Sequence, residues 1–179
     1  MVAKFAIDDI EFSLIKEEDL TDLIHMLQKP SVCEHVFFGP NTAEETRAYF
    51  QPFIEETAQA IKDNKAPESH VFVLRKNGEF IGNCALIPTP YSAGDFSIGY
   101  NIDDRFWRRG YGDLCCQFLI AFGFGQLGAN RLSADCMSGN LGSRRILEKN
   151  GFMLEGQQRS YRFKNGRYYD NLLFGLLKK

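Results

Sequence analysis

Trp107-Arg108-Arg109-Gly110-Tyr111-Gly112 marks the step from an extended segment into a helix. Upstream, Phe96-Ser97-Ile98-Gly99-Tyr100-Asn101-Ile102 mixes apolar and small residues as a strand does, and downstream Leu114, Phe118, Phe122 and Leu127 recur at helical spacing. The pattern predicts a strand over 95–102 and a helix over 112–127, joined through two glycines. Gly110 and Gly112 carry no Cβ, so backbone N–H groups there can close on a bulky anion, and a helix N-terminus adds roughly half a positive charge to the same spot. Arg108 and Arg109 can add charge-assisted hydrogen bonds at the rim. The turn reads as a place for phosphate.

A second block, Asn140-Leu141-Gly142-Ser143-Arg144-Arg145-Ile146-Leu147-Glu148-Lys149-Asn150-Gly151-Phe152, follows another short strand and has the form N-x-x-S-x-x-x-L-E-K-x-G-F. Together the two blocks resemble the GNAT superfamily of N-acetyltransferases, and within it the RimJ/RimL-like branch that acetylates N-terminal amines of ribosomal proteins, with its relatives acting on small amines. The likeness runs from about Phe12 to the C-terminus. It implies acetyl-CoA as co-substrate, with residues 108–112 (Arg108, Arg109, Gly110, Tyr111 and Gly112) as the pyrophosphate loop. Trp107 stands where the family usually has Gln or Arg, a replacement familiar from the ribosomal-protein branch. The resemblance further implies that Asn140 and Ser143 lie along the cofactor, and that pantetheine pairs with the backbone of Tyr100, Asn101 and Ile102 at the strand end before the loop.

The similar enzymes bring cofactor and amine together for direct attack without an acyl-enzyme. Such a transfer needs a neutral amine, a held thioester, a donor for the developing oxyanion and a proton for the departing thiolate. Many relatives carry a Glu as base at the place of Ser97, and serine cannot take a proton near neutral pH as a carboxylate can. Water, Asp95, Glu155 or Asp170 is then left for that role. The tyrosine that serves many relatives as acid falls at Leu147, which cannot donate; Ser143, one turn into its helix, becomes the candidate proton donor, its alternative being a hydroxyl that bonds local backbone. Arg144 and Arg145 are in reach of the 3′-phosphate or adenine end of the cofactor that the resemblance implies, but read first as a solvated helix face.

A chain of 179 residues suits one domain, here residues 1–179, burying about 70% of its unfolded surface. Hydrophobic residues make up 44% and charged residues 25%, which is ordinary for a folded globular chain and excludes disorder. A net charge of -2 argues against a nucleic-acid binder, which needs a basic face. Cys33, Cys84, Cys115, Cys116 and Cys136 form no C-x-x-C pair, and no signal peptide is read at Met1, so reduced thiols and a cytoplasmic location are the expectation. His25, His35 and His70 show no metal-ligand spacing, so no metal is expected. No apolar run reaches membrane-spanning length, and no membrane partner is expected.

In chain order, Phe12-Ser13-Leu14-Ile15 reads as the first strand, and Glu17-Glu18-Asp19 opens a helix with Leu20, Leu23, Ile24 and Leu27 on one face. Thr42-x-x-Glu45 is a capping box for a second, longer helix; Pro52 inside it predicts a kink or two consecutive helices between Ala43 and Ile61. Asn77-Gly78 and Asn165-Gly166 predict hairpins, the second one terminal. Gly123 and Gly125 each cost a helix about 1 kcal/mol, which points to close packing on the sheet or on the cofactor. The sum is an α/β (α+β) domain on one central mixed, mostly antiparallel twisted sheet of about six to seven strands flanked by helices. Two function classes fit: an N-acetyltransferase, or a non-catalytic CoA-binding sensor favoured by the departures at Ser97 and Leu147. Acceptors open to the first are a peptide or protein N-terminus, a polyamine, an amino sugar or an amino acid. A monomer or homodimer is equally open.

Overall fold

A computed structural model describes residues 4–7 and 9–179. Met1, where a signal segment was sought, lies outside the described residues, as do Val2, Ala3 and Asp8. Eight strands form one sheet: β1 (Lys4–Ile7), β2 (Ile10–Leu14), β3 (His70–Lys76), β4 (Glu79–Pro88), β5 (Asp95–Ile102), β6 (Arg131–Met137), β7 (Met153–Lys164) and β8 (Arg167–Leu177). Their order is β1-β2-β3-β4-β5-β6-β8-β7. Five helices accompany them: α1 (Leu20–Leu27), α2 (Pro30–Cys33), α3 (Ala43–Lys62), α4 (Tyr111–Gly125) and α5 (Leu141–Lys149).

The sheet exceeds the expected six to seven strands through β1, whose four residues are too few to show alternation in the sequence. Phe5 holds it in place, meeting the rings of Phe72, Phe118 and Phe122 at 6.0, 5.8 and 5.2 Å. The two hairpin turns form as read. Asn77 and Gly78 have φ of 49° and 82°, and Asn165 and Gly166 have 50° and 79°, the paired left-handed conformations of a type I′ turn.

Alternation along the strands gives the sheet two covered faces. Phe12, Phe72, Ile98, Leu132, Ala134 and Cys136 pack under α4 and α5, whereas Val71, Val73 and Phe80 pack under α1 and α3. Pro52 does not split α3, which runs unbroken from Ala43 to Lys62. The capping box forms, with Glu45 N–H donating to Thr42 Oγ1 (3.1 Å) and Thr42 N–H to Glu45 Oε2 (2.7 Å). Phe50 and Ile54, buried on either side of the proline, anchor both halves to one core and offset the roughly 3 kcal/mol that an interior proline costs.

The two helical glycines differ. A Cβ on Gly123 would stand 2.9 Å from Leu132 Cδ2 and 3.0 Å from Leu86 Cδ2, so this residue lets α4 approach the sheet. Nothing lies within 4 Å of a Cβ on Gly125, so close packing explains the first glycine and not the second.

Candidate active site

All neighbouring strands are antiparallel except β5 and β6, which are parallel and pair only over Asp95–Ser97 with Arg131–Ser133. Beyond Ser97 the two strands part. Asp103 N–H donates to the Ile81 carbonyl (2.9 Å) and Thr89 N–H to that of Asp95 (2.9 Å), which fixes the phase of β5: odd-numbered residues direct their backbone groups to β4, even-numbered ones the other way. Tyr100 and Ile102 therefore turn their peptide groups to the gap, while the backbone of Asn101 belongs to β4. The Ile102 carbonyl is taken by Trp107, whose Nε1–H donates to it at 2.8 Å. That bond ties the loop to the strand end and gives a physical role to the tryptophan at the position usually held by Gln or Arg.

The loop sits at the open end of the gap. Arg108 and Gly110 adopt φ of 61° and 84°, and Gly110 caps α4 without any side-chain acceptor, leaving the first-turn N–H groups free for an anion. The acidic residue of that turn, Asp113, is held by Lys149 and by Asn150 Nδ2 (2.7 Å), and these partners depress its carboxyl below the usual range. Arg109 lies over the Phe106 ring at 5.5 Å. Gly112 serves packing, since a Cβ there would meet Ile146 Cδ1 at 2.9 Å where α4 crosses α5.

On the α4/α5 side, the Tyr100 hydroxyl and Ser143 Oγ lie 3.3 Å apart. Burial pushes the Tyr100 phenol up, so it stays protonated across the neutral range. Asn140 caps α5 by accepting from Ser143 N–H (3.0 Å), and its Nδ2–H donates to the His35 carbonyl (3.1 Å). Burial, seconded by Asp135, pushes the Cys136 thiol up to about 11, so it is no nucleophile at neutral pH. Leu147 is 1% exposed and belongs to the core.

The opposite face is polar where the strands part. Ser97 faces Ser133 in the last paired position. Glu155 is gripped by Arg131 through both carboxylate oxygens, which holds its carboxyl below the usual range. Asp95 accepts from Ser133 Oγ (3.0 Å), which in turn accepts from Arg131 Nε (3.1 Å). Asp170 accepts from Ser160 N–H (2.8 Å) and from Gln157, again lowering its carboxyl. These three acids thus sit in hydrogen-bonded clusters. A fourth, Asp135, was missed in the sequence. It lies on β6 two residues beyond Ser133, the last one paired with β5, it is exposed, and it has no side-chain hydrogen bond or ion pair among the described residues. Only strand pairing could have pointed to it.

A cleft of ≈ 550 Å³ opens on this side, lined by Glu34, His35, Met137, Gly139, Asn165, Arg167 and Tyr169. Its walls are stapled by Lys164, whose ammonium donates to the carbonyls of Cys33, Val36 (2.7 Å) and Phe38 (2.9 Å).

The whole arrangement sets an uncapped helix N-terminus beside an opened strand edge, and the chain belongs to the acetyltransferase (GNAT) domain family, which matches it over residues 9–153. Among curated relatives it is similar to the uncharacterized N-acetyltransferase YoaA of Bacillus subtilis (strain 168), 32% identical over 104 residues covering 58% of this chain and 59% of that protein. The alignments with the first curated relatives thus span about three fifths of their length. Among solved structures it shares the fold of RimL, a ribosomal α-N-protein acetyltransferase in complex with coenzyme A (TM-score 0.79, 18% identity, covering 96% of this chain and 95% of that one). It likewise shares the fold of the spermidine N-acetyltransferase of Vibrio cholerae in complex with CoA and spermine (TM-score 0.79, 18% identity, covering 96% of each chain). No helix among the described residues is long and apolar enough to cross a membrane, and all five cysteines are free thiols.

Proposed function

We propose that this protein is an acetyl-CoA-dependent N-acetyltransferase acting by direct attack, with the α-amine of a peptide or protein, or another amine of low pKa, as acceptor. The observation that carries the reading is the open edge of β5 at Tyr100 and Ile102 running into the uncapped N-terminus of α4, a continuous line of backbone donors ending in an anion nest. These residues fit the group. Tyr111, Gly112 and Asp113 offer N–H groups for a pyrophosphate, Arg108 and Arg109 flank it, and the peptide group of Tyr100 and the N–H of Ile102, whose carbonyl Trp107 holds, are free for an amide-bearing chain. Bound acetyl-CoA supplies an activated thioester. The Tyr100 N–H, aimed into the gap, polarises a carbonyl there; Ser143 Oγ, backed by the Tyr100 hydroxyl at 3.3 Å, delivers the proton to a departing thiolate.

Asp135 is the acid placed to receive the amine's proton, directly or through water, because Glu155, Asp95 and Asp170 are engaged elsewhere. An α-amine, of pKa near 7.7–8.0, is neutral at pH 7 roughly 300 times more often than a lysine-type amine near 10.4, a difference of about 3.4 kcal/mol, and the site favours it. The test is kcat/KM for a short peptide with a free N-terminus, beside the same peptide blocked at its N-terminus and carrying one lysine, and beside spermidine. Faster acetylation of either alternative would overturn the acceptor assignment.

A second reading, a coenzyme A-binding sensor, draws on Ser97 and on Leu147, where the acid of many relatives has become a core side chain. Thiol release across a panel of amines separates the two, since a sensor binds and releases nothing.

A further inference from the structure

Arg167 opens β8 at the mouth of the polar cleft. Its guanidinium carbon lies 4.5 Å from the centre of the Tyr169 ring, and its Nε–H donates to the Tyr169 hydroxyl. Stacking and hydrogen bond together fix the plane of the fork. Nη1 and Nη2 have no hydrogen-bond or ion-pair partner among the described residues. A guanidinium held in this way keeps a bidentate donor pair ready for a carboxylate.

The surroundings are prepared as well. Lys164 binds the carbonyl of Cys33 at the end of α2 and those of Val36 and Phe38 beyond it, and Asn140 binds the His35 carbonyl, so the wall facing Arg167 is fixed before any ligand arrives. Glu34 is the one carboxylate lining the cleft, set against one guanidinium. This balance suits a ligand with both charges. It opposes a polyamine, whose successive ammonium groups need carboxylates and would meet Arg167 instead.

We propose that the acceptor carries a carboxylate near its amine and that Arg167 holds it; this rests on the acetyltransferase reading and narrows its substrate class. The carboxylate is an acidic side chain in the residue after a peptide's N-terminus; the α-carboxylate of a free amino acid, whose amine is more basic than a peptide's, is the other source the test distinguishes. Arg167 is then the residue that decides specificity, and takes no part in the bond-making step.

The experiment pairs each carboxylate acceptor with its neutral counterpart: the dipeptide amide Ala-Glu against Ala-Gln, and free alanine against alaninamide, with rates corrected for the fraction of neutral amine. The wild-type protein is expected to favour at least one carboxylate member by about tenfold or more in kcat/KM, and the favoured pair identifies the source of the carboxylate. In Arg167→Gln that ratio falls towards one, and Arg167→Lys, which keeps the charge and loses the fork, retains part of it. Coenzyme A binding by each variant, measured by calorimetry, reports that it is folded. Ratios near one in the wild type for both pairs, or a ratio that Arg167→Gln leaves intact, overturn the proposal. Binding of the same dipeptides to the coenzyme A complex, which cannot turn over, separates the two levels of argument. Selective binding by wild type and its loss in Arg167→Gln without thiol release sinks the transferase reading and keeps Arg167 as a carboxylate-holding residue. Thiol release that ignores the carboxylate does the reverse.

Discussion

Replacing Gly110 separates backbone strain from charge at the anion nest. Its φ of 84° lies in the left-handed region, and a Cβ there meets nothing within 4 Å, so steric collision with the protein is absent. Asn and Asp tolerate this conformation better than other residues and are favoured helix N-caps, so both Gly110→Asn and Gly110→Asp are expected to fold with a Tm close to wild type. They are near-isosteres that differ by one charge. A carboxylate about 5 Å from a pyrophosphate bearing two charges is repelled by about 0.8 kcal/mol per charge even at the dielectric constant of water, about 1.7 kcal/mol in all and more where solvent is partly excluded. Calorimetric titration with coenzyme A should therefore show Gly110→Asp binding at least roughly tenfold more weakly than Gly110→Asn. Screening sets a second condition: the ratio should shrink between 0.01 and 1 M salt, as the Debye length falls from about 30 to 3 Å. Equal affinities for the two variants at low salt would refute the assignment of this turn to phosphate. A large loss shared by both would make shape the determinant.

Ser143→Ala and Tyr100→Phe should each lower kcat by roughly tenfold or more with a smaller change in coenzyme A affinity, because a proton delivered to the thiolate acts in the transition state; equal losses in kcat and affinity would make the pair a binding feature. Asp135→Asn is expected to cut kcat/KM about a hundredfold with coenzyme A affinity unchanged, and an unchanged kcat/KM would clear Asp135 of the base role. Gly123→Ala should destabilise by about 1–3 kcal/mol through its contacts with Leu132 and Leu86, whereas Gly125→Ala, with open space, should stabilise by about 0.5–1 kcal/mol; denaturant melts read both signs. Burial, the main cause, lowers the His70 pKa, with the Glu68 backbone partly opposing it. The unfolded chain therefore takes up this proton first as pH falls below about 6.5, and stability declines from there until the folded form also protonates. A His70→Leu variant whose Tm keeps the full acid slope would show the decline to arise elsewhere.

Local signals carried most of the fold. Asn77-Gly78 and Asn165-Gly166 demand left-handed turns whatever surrounds them, and β5 was legible to the residue because a glycine-rich turn follows it at one side and a proline-rich loop precedes it at the other. Pro52 does not divide its helix because its local cost is outweighed by Phe50 and Ile54, burial that appears only once α1 is packed alongside. The site was half legible. Gly110 and Ser143 announce themselves through spacing to a helix start, but Tyr100 as the partner of Ser143, 43 residues away, is a tertiary fact. Glu155 looked available because nothing in the sequence says that Arg131 faces it across β8, and Asp135 looked like any surface acid because the point where two strands separate leaves no mark in composition.

That point of separation has a mechanical consequence. Two blocks of strands, β1 through β5 and the β6–β8–β7 meander, are sewn together along the sheet by a seam of three residue pairs, with α4 as the strap across it. A joint so short is where sub-global opening should begin, and amides of Ile98, Tyr100 and Ile102 should exchange with solvent well before those of β3, which is bonded on both edges. A ligand lying in the seam acts as mortar. At a thousandfold excess over its Kd it adds about 4 kcal/mol to the folded state, and exchange at the seam should slow far more than in the outer strands. The protein would then be a stiffer object when charged with its acyl donor than when empty, and deuterium uptake could count how much of it is loaded.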